Sequence, residues 1–187
     1  KGISGDGGFI SRFRTAQKSL YDKVDQHMPK QTGVDVSNTQ RTLSSLNADI
    51  PNAAALSKWF KSAKIQGIED AMKTDIRENA VGTTTALQRY GLQKKDVVPP
   101  KPVLPYESIK KLRSLVGAEL EGNSLTSDVP RSKWKALYAS LSQDLDNAAK
   151  ATGNPEAVKA VQRAHQFTKA GHARIDDVLD KVVNKST

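Results

Sequence analysis

Three histidines, His27, His165 and His172, are the only side chains in this 187-residue chain whose ordinary pKa lies near neutrality. His165 and His172 stand seven residues apart, so a helix carries them on one face, where they would share a metal ion or titrate together in an assembly. There is no cysteine, and no carboxylate repeats at the same spacing, so the ligand set is incomplete and solvated or partner-facing histidines are the favoured reading. Asp176 and Asp177 are adjacent and diverge on a helix. A pair such as Glu107 and Asp144 would do glycosidase chemistry only across a cleft, and Ser140, Ser142 and Asn147 are equally available to Asp144. No G-x-S-x-G, H-E-x-x-H, G-x-G-x-x-G or P-loop pattern occurs. The residues therefore point to a protein that is not an enzyme and holds neither cofactor nor metal.

The second chemistry on offer is contact with a polyanion. The chain has 29 Lys and Arg against 20 Asp and Glu, a net charge of +9. The excess is diffuse: 7 basic against 5 acidic residues in 1–50, 8 against 5 in 51–100, 8 against 6 in 101–150 and 6 against 4 in 151–187. No segment is a basic arm, and a solvated surface is the plainer interpretation. If DNA is bound without regard to sequence, the candidate contacts are Arg12, Arg14, Lys18, Lys58, Lys61, Lys64, Lys110, Lys111 and Arg113. Trp59, between Lys58 and Lys61, has the surroundings of a base-stacking residue. Trp59 and Phe60 also follow Leu56 by helical steps, which favours packing instead.

The elements that would position these groups are helical. Apolar residues make up 37% of the chain and aromatics 5%, enough for a lean core built from Ala, Leu, Val and Ile. Phe9, Phe13, Ala16, Leu20, Val24 and Met28 mark a first amphipathic helix ending at Pro29, whose basic face would suit lipid or DNA. Ser37 or Asn38 is placed to cap a second, with Leu43, Leu46 and Ile50 inward, and Asn52 a third. Ile65, Ile68, Met72 and Ile76 continue the stripe, and the V-G-T-T-T-A stretch from Val81 predicts a bend or a frayed end. Prolines 99, 100, 102 and 105 predict a stiff extended linker over 91–105, separating an N-terminal helical region, 1–90, from a C-terminal one, 106–187. P-P-K-P also loosely matches a proline-rich ligand for an adaptor groove.

The C-terminal region begins with a helical hairpin. Ile109, Leu112, Val116 and Leu120 form one stripe, a turn follows at Gly122 to Ser124, and Trp134, Leu137, Tyr138, Leu141, Leu145 and Ala148 form the other. Gly153, Asn154 and Pro155 stop one helix and start the last. There Val158, Val161, His165, Thr168, His172, Ile175, Leu179 and Val182 alternate at three and four, the register of a coiled-coil seam that would join copies of the chain. The fold class expected is all-α: an elongated multi-helix bundle with a helical hairpin and a long C-terminal coiled-coil-like helix. No run approaches the roughly 20 apolar residues of a membrane-spanning helix, so membrane contact stays open but no spanning segment indicates it. Lys1 is not an initiator Met, and the expectation is an internal fragment of a longer polypeptide.

The stretches L-P-Y-E-S-I-K-K-L-R-S-L-V-G, D-V-P-R-S-K-W-K-A-L-Y-A-S-L-S-Q-D-L and E-A-V-K-A-V-Q-R-A, with R-I-D-D-V-L beyond, resemble a helical segment of large tailed-phage virion proteins. Among these are the internal, DNA-ejection proteins of short-tailed phages. The resemblance covers Leu104 to Val183 and is carried by Leu112, Arg113, Gly117, Leu137, Tyr138, Leu141, Asp144, Ala164, Arg174 and Ile175. These are packing residues, and no catalytic motif comes with them. The resemblance implies a virion protein released with or ahead of the genome. Such a protein would build part of a conduit through the host envelope, in the periplasm, with copies of itself and with portal or other ejection proteins, and packaged DNA would lie close by.

Overall fold

The computed structural model describes residues 7–89, 91, 101–122 and 128–185, without the side chains of 81–89 and 182–185. The chain is all-α, as its periodicity requires. Seven helices are described: α1 (Phe9–His27), α2 (Ser37–Leu46), α3 (Ala54–Phe60), α4 (Ala63–Arg89), α5 (Tyr106–Glu121), α6 (Arg131–Ala151) and α7 (Pro155–Lys185). Two short strands, β1 (Gly33–Asp35) and β2 (Val103–Pro105), complete them.

Many of the expected boundaries hold. Pro29 follows the end of α1, Pro105 and Pro130 precede the first turns of α5 and α6, and Gly153 takes φ +67° after α6. Asn154 Oδ1 then accepts the Glu156 amide at 3.0 Å to cap α7. The helix α4 runs on through the V-G-T-T-T-A stretch, where a bend or fray was expected. Of the predicted turn at Gly122 to Ser124, Gly122 ends α5, while 123–124 and most of the proline-rich segment, 92–100, lie outside the described residues.

The described end of that segment does not act as a spacer. Val103–Pro105 pairs antiparallel with Gly33–Asp35, Val34 opposite Leu104, and both of these side chains are buried. The flanking amides extend the pairing, Val36 N–H to Pro102 carbonyl and Tyr106 N–H to Thr32 carbonyl, each at 2.8 Å. An edge strand tolerates Pro102 and Pro105 because their missing N–H groups are not needed by the ladder. The two regions expected to be separate therefore share one core. Val24, Met28, Leu43 and Ile65 from one pack in the same cluster as Ile109, Leu137, Leu141 and Val161 from the other.

The hairpin of α5 and α6 forms as expected, with one shift in its stripe. Ile109, Val116 and Leu120 are buried, but Arg113 and Gly117 are buried with them while Leu112 is only half-covered. The last helix, α7, lies antiparallel against α1, shown by Phe13 beside Phe167 and His172, and Tyr21 beside His165. Gly171 makes that approach: a Cβ there would stand 2.0 Å from Phe13 Cε2.

Candidate functional site: a buried arginine, its histidine neighbours and a basic pocket

Gly117 sits one turn after Arg113, and its bare backbone lets α5 close on the Tyr138 ring, which a Cβ would meet at 3.3 Å. Arg113 is drawn into the same contact and is only 4% exposed. Its guanidinium lies 4.8 Å from the Tyr21 ring centre on α1 and 4.3 Å from the Tyr138 ring centre on α6. The cation thus meets the negative face of two aromatic quadrupoles. Nε donates to Ser142 Oγ at 2.9 Å, and that hydroxyl donates onward to the Tyr138 carbonyl at 2.8 Å. Burial pushes the guanidinium down to about 10, against smaller opposing effects of Tyr138 and Asp146.

Both seam histidines adjoin this cluster. His165 Nδ1 lies 2.9 Å from Asp146 Oδ1, and His172 Nε2 lies 3.6 Å from Glu121 Oε1. Tyr138 and His172 stand 5.0 Å apart. Burial lowers the His165 pKa; Asp146 opposes the shift, while the nearby Arg113 adds to it. Glu121 accepts Arg14 Nε at 2.6 Å. Burial pushes its carboxyl up, but His172 and Arg14 together outweigh that and hold it below the usual range. The Tyr21 hydroxyl and His165 Nε2 complete no hydrogen bond among the described residues. Both are buried, where such groups ordinarily find partners.

The coiled-coil seam is thus spent within the chain. Val161, Thr168 and Ile175 are buried, and Val158, His165, His172 and Leu179 half-buried, because α1, α5 and α6 of the same molecule cover that side of α7. The Val182 side chain lies outside the described residues. The histidines are neither solvated nor free to meet a partner. Tertiary packing supplies the apolar surface that a seam would otherwise seek in a second copy.

The nine candidate DNA contacts divide. Arg14 and Lys18 on α1 and Lys110 and Arg113 on α5 converge on one cavity of about 370 Å³, walled also by Gln17, Tyr21, Asp22, Ser114, Gly117, Ala118, Glu121 and Tyr138. Arg12, Lys58, Lys61, Lys64 and Lys111 are not part of it. Lys61 pairs with Asp49, Lys64 with Glu119 and Lys111 with Glu107. Arg113 is too deeply buried to lie on an open basic face, a correction to its place in that set.

Trp59 and Phe60 correct the packing expectation. They are 86% and 62% exposed, and Leu56 and Ile50 are bare beside them in sequence. With only two turns, α3 buries a single residue, Ser57, whose hydroxyl accepts the Ile50 amide and donates to the Ala53 carbonyl, each at 2.8 Å. Ser57 faces inward, so Leu56, Trp59 and Phe60 are left on the solvent side.

The carboxylate Asp144 is structural: it accepts Asn38 Nδ2 and the Thr39 amide at 2.9 Å and Thr39 Oγ1 at 2.6 Å. It caps α2 from α6, while locally Asp35 Oδ1 accepts the Ser37 amide at 3.0 Å, where Ser37 or Asn38 was expected to cap. The site residues missed by sequence reasoning are Tyr21, Glu121, Asp146 and Ser142. One signal was legible: Arg113 falls four residues after Ile109 and four before Gly117, a charge on the apolar face. Comparison with protein-family models, curated proteins and solved structures returns no match.

Proposed function

We propose that the chain is a non-catalytic structural component of a virion, an internal or DNA-ejection protein that assembles with copies of itself and with portal or other ejection proteins. In that role it helps carry a genome across a host envelope. The observation that carries the assembly reading is the bare edge of α3. Leu56, Trp59 and Phe60 stand in solvent on a molecule whose other large apolar side chains are mostly covered. A bare cluster of this kind marks a contact surface. Aromatic side chains bury about 150–250 Å² each when covered, so Trp59 and Phe60 alone would contribute several kcal/mol, roughly, at about 25 cal/mol per Å². The place in a virion is supported by the resemblance over Leu104 to Val183.

Sedimentation of the wild type against the double variant Trp59→Ser and Phe60→Ser tests it. The wild type should associate as its concentration rises, and the variant should stay monomeric with the same melting temperature. A wild type that is monomeric up to about 1 mM, where even about 4 kcal/mol of association shows, would refute the assembly reading. The second reading is sequence-independent DNA binding. It is favoured by the convergence of Arg14, Lys18 and Lys110 on one cavity, and its mark is an affinity that falls steeply with salt.

A further inference from the structure

None of the residues lining the basic pocket belongs to α3, so the pocket stands apart from the assembly edge. Three of its four cations are matched: Arg14 by Glu121 at 2.6 Å, Lys18 by Asp22 at 2.9 Å and Lys110 by Asp25. The pocket's own acids, Asp22 and Glu121, are thereby engaged. Arg113 is the charge left over. Its Nε has a neutral acceptor, Ser142, two tyrosine rings lie against it, and among the described residues no carboxylate forms an ion pair with it. A guanidinium does not give up its proton in a protein, so burial leaves a full positive charge in a low-dielectric setting. A buried charge is ordinarily paired, because desolvation is otherwise uncompensated. Here, among the described residues, the only carboxylate acting on it is Asp146, which is already engaged with His165, and the side chain forms part of the wall of a cavity.

The geometry selects among anions. A guanidinium presents parallel N–H groups that match two oxygens of a phosphate, and lysines serve as point charges for the rest. Lys18 on α1, Lys110 on α5 and Ser114 line the same cavity. A cavity of about 370 Å³ lies at the small end of ligand pockets, so it suits one phosphate and part of what carries it. We propose that this pocket binds a phosphate group, with Arg113 taking two of its oxygens and Lys18 and Lys110 supplying charge at the rim. The phosphate is borne by a small phosphorylated molecule or by the backbone of DNA.

The test titrates the full chain, at constant ionic strength, with inorganic phosphate in one arm and a short duplex DNA in the other. Calorimetry gives the affinity, and the backbone amides of Ser114, Gly117 and Ala118 give the location by NMR. Binding should saturate in at least one arm and move those amides. It should weaken about tenfold in Arg113→Leu, where the bidentate fork is lost, and about threefold in Lys18→Ala. If Arg113→Leu does not fold, Arg113→Lys keeps the charge without the fork and should show the same direction of loss. Saturation by inorganic phosphate identifies a small carrier. Saturation by DNA alone identifies the backbone, with the salt slope reduced by about one in Lys18→Ala. Absence of binding in both arms, affinity unchanged in the Arg113 and Lys18 variants, or shifts elsewhere than these amides would overturn the proposal.

Discussion

Replacing Asp144 by alanine removes a helix cap that comes from another helix. The Asp144 side chain is 1% exposed and accepts three hydrogen bonds, two of them from Thr39, which is itself fully buried. The Thr39 amide is among the first N–H groups of α2, which have no partner inside the helix. A carboxylate there satisfies a donor and meets the positive end of the helix dipole. In Asp144→Ala the Thr39 amide and hydroxyl are left buried and unpaired, at about 1–3 kcal/mol each. The lost charge-assisted bonds are partly offset by the relief of burying a carboxylate, so a net loss of about 3–4 kcal/mol is expected. For a chain of this length about 1 kcal/mol moves the midpoint by roughly 2–4 °C, so Tm should fall by about 6–16 °C. Asp144→Asn keeps the shape and one acceptor and should lose about half as much. Circular dichroism melts give the global change. Amide exchange at Thr39 to Arg41 gives the local one and should accelerate more than exchange in the middle of α6. An Asp144→Ala protein melting within about 2 °C of wild type would refute the capping argument.

Gly171→Ala gains up to about 1 kcal/mol of helix propensity, but its Cβ meets three Phe13 ring carbons at 2.0–2.6 Å. Phe13 is stacked with Phe9 at 5.9 Å and Phe167 at 5.4 Å and has little room to yield. A net loss of about 1–2 kcal/mol should appear in urea titration, whereas Gly67→Ala, with open space around its Cα, should gain up to about 1 kcal/mol. Equal effects at the two sites would dismiss the close approach of α1 and α7. His165 predicts the pH response. It faces Asp146 on α6, Tyr21 on α1 and the charge of Arg113 on α5, and its pKa is lowered from 6.5 by burial. A depressed imidazole pKa means that stability is present above about 6.5 and lost as pH falls toward the folded value. Denaturant midpoints should therefore decline below neutrality, and His165→Gln should flatten that decline. A further loss below about 4.5, from Glu121 with its lowered carboxyl pKa, should persist in the variant.

Helix positions followed from local chemistry, so they were legible residue by residue. Pro29, Pro105, Pro130, Gly153 and Asn154 act within a turn of themselves, and they bound α1, α5, α6 and α7. The hairpin was equally plain, because two stripes joined by a short loop have few ways to be buried except on each other. Inside the stripes the pattern was ambiguous. Leu112 and Arg113 are neighbours on α5, and sterics at Gly117 and Tyr138, more than hydropathy, turned Arg113 inward. On α3, Leu56, Trp59 and Phe60 fit a helical face, but Ser57 satisfied two backbone groups and took the buried side.

Sequence alone determined that this chain is helical, where most helices start and stop, and which side of each is apolar, because those properties depend on neighbours a few residues away. It did not determine what covers each apolar side. The α7 seam reads the same whether its partner is a second copy or α1, and only the fold shows that α1, α5 and α6 are there first. Likewise the polar order of the centre, with Arg113 on Ser142, His172 facing Glu121 and Asp144 capping α2, joins residues from 29 to 107 positions apart. Such contacts depend on the summed geometry of several helices, and no local pattern encodes them.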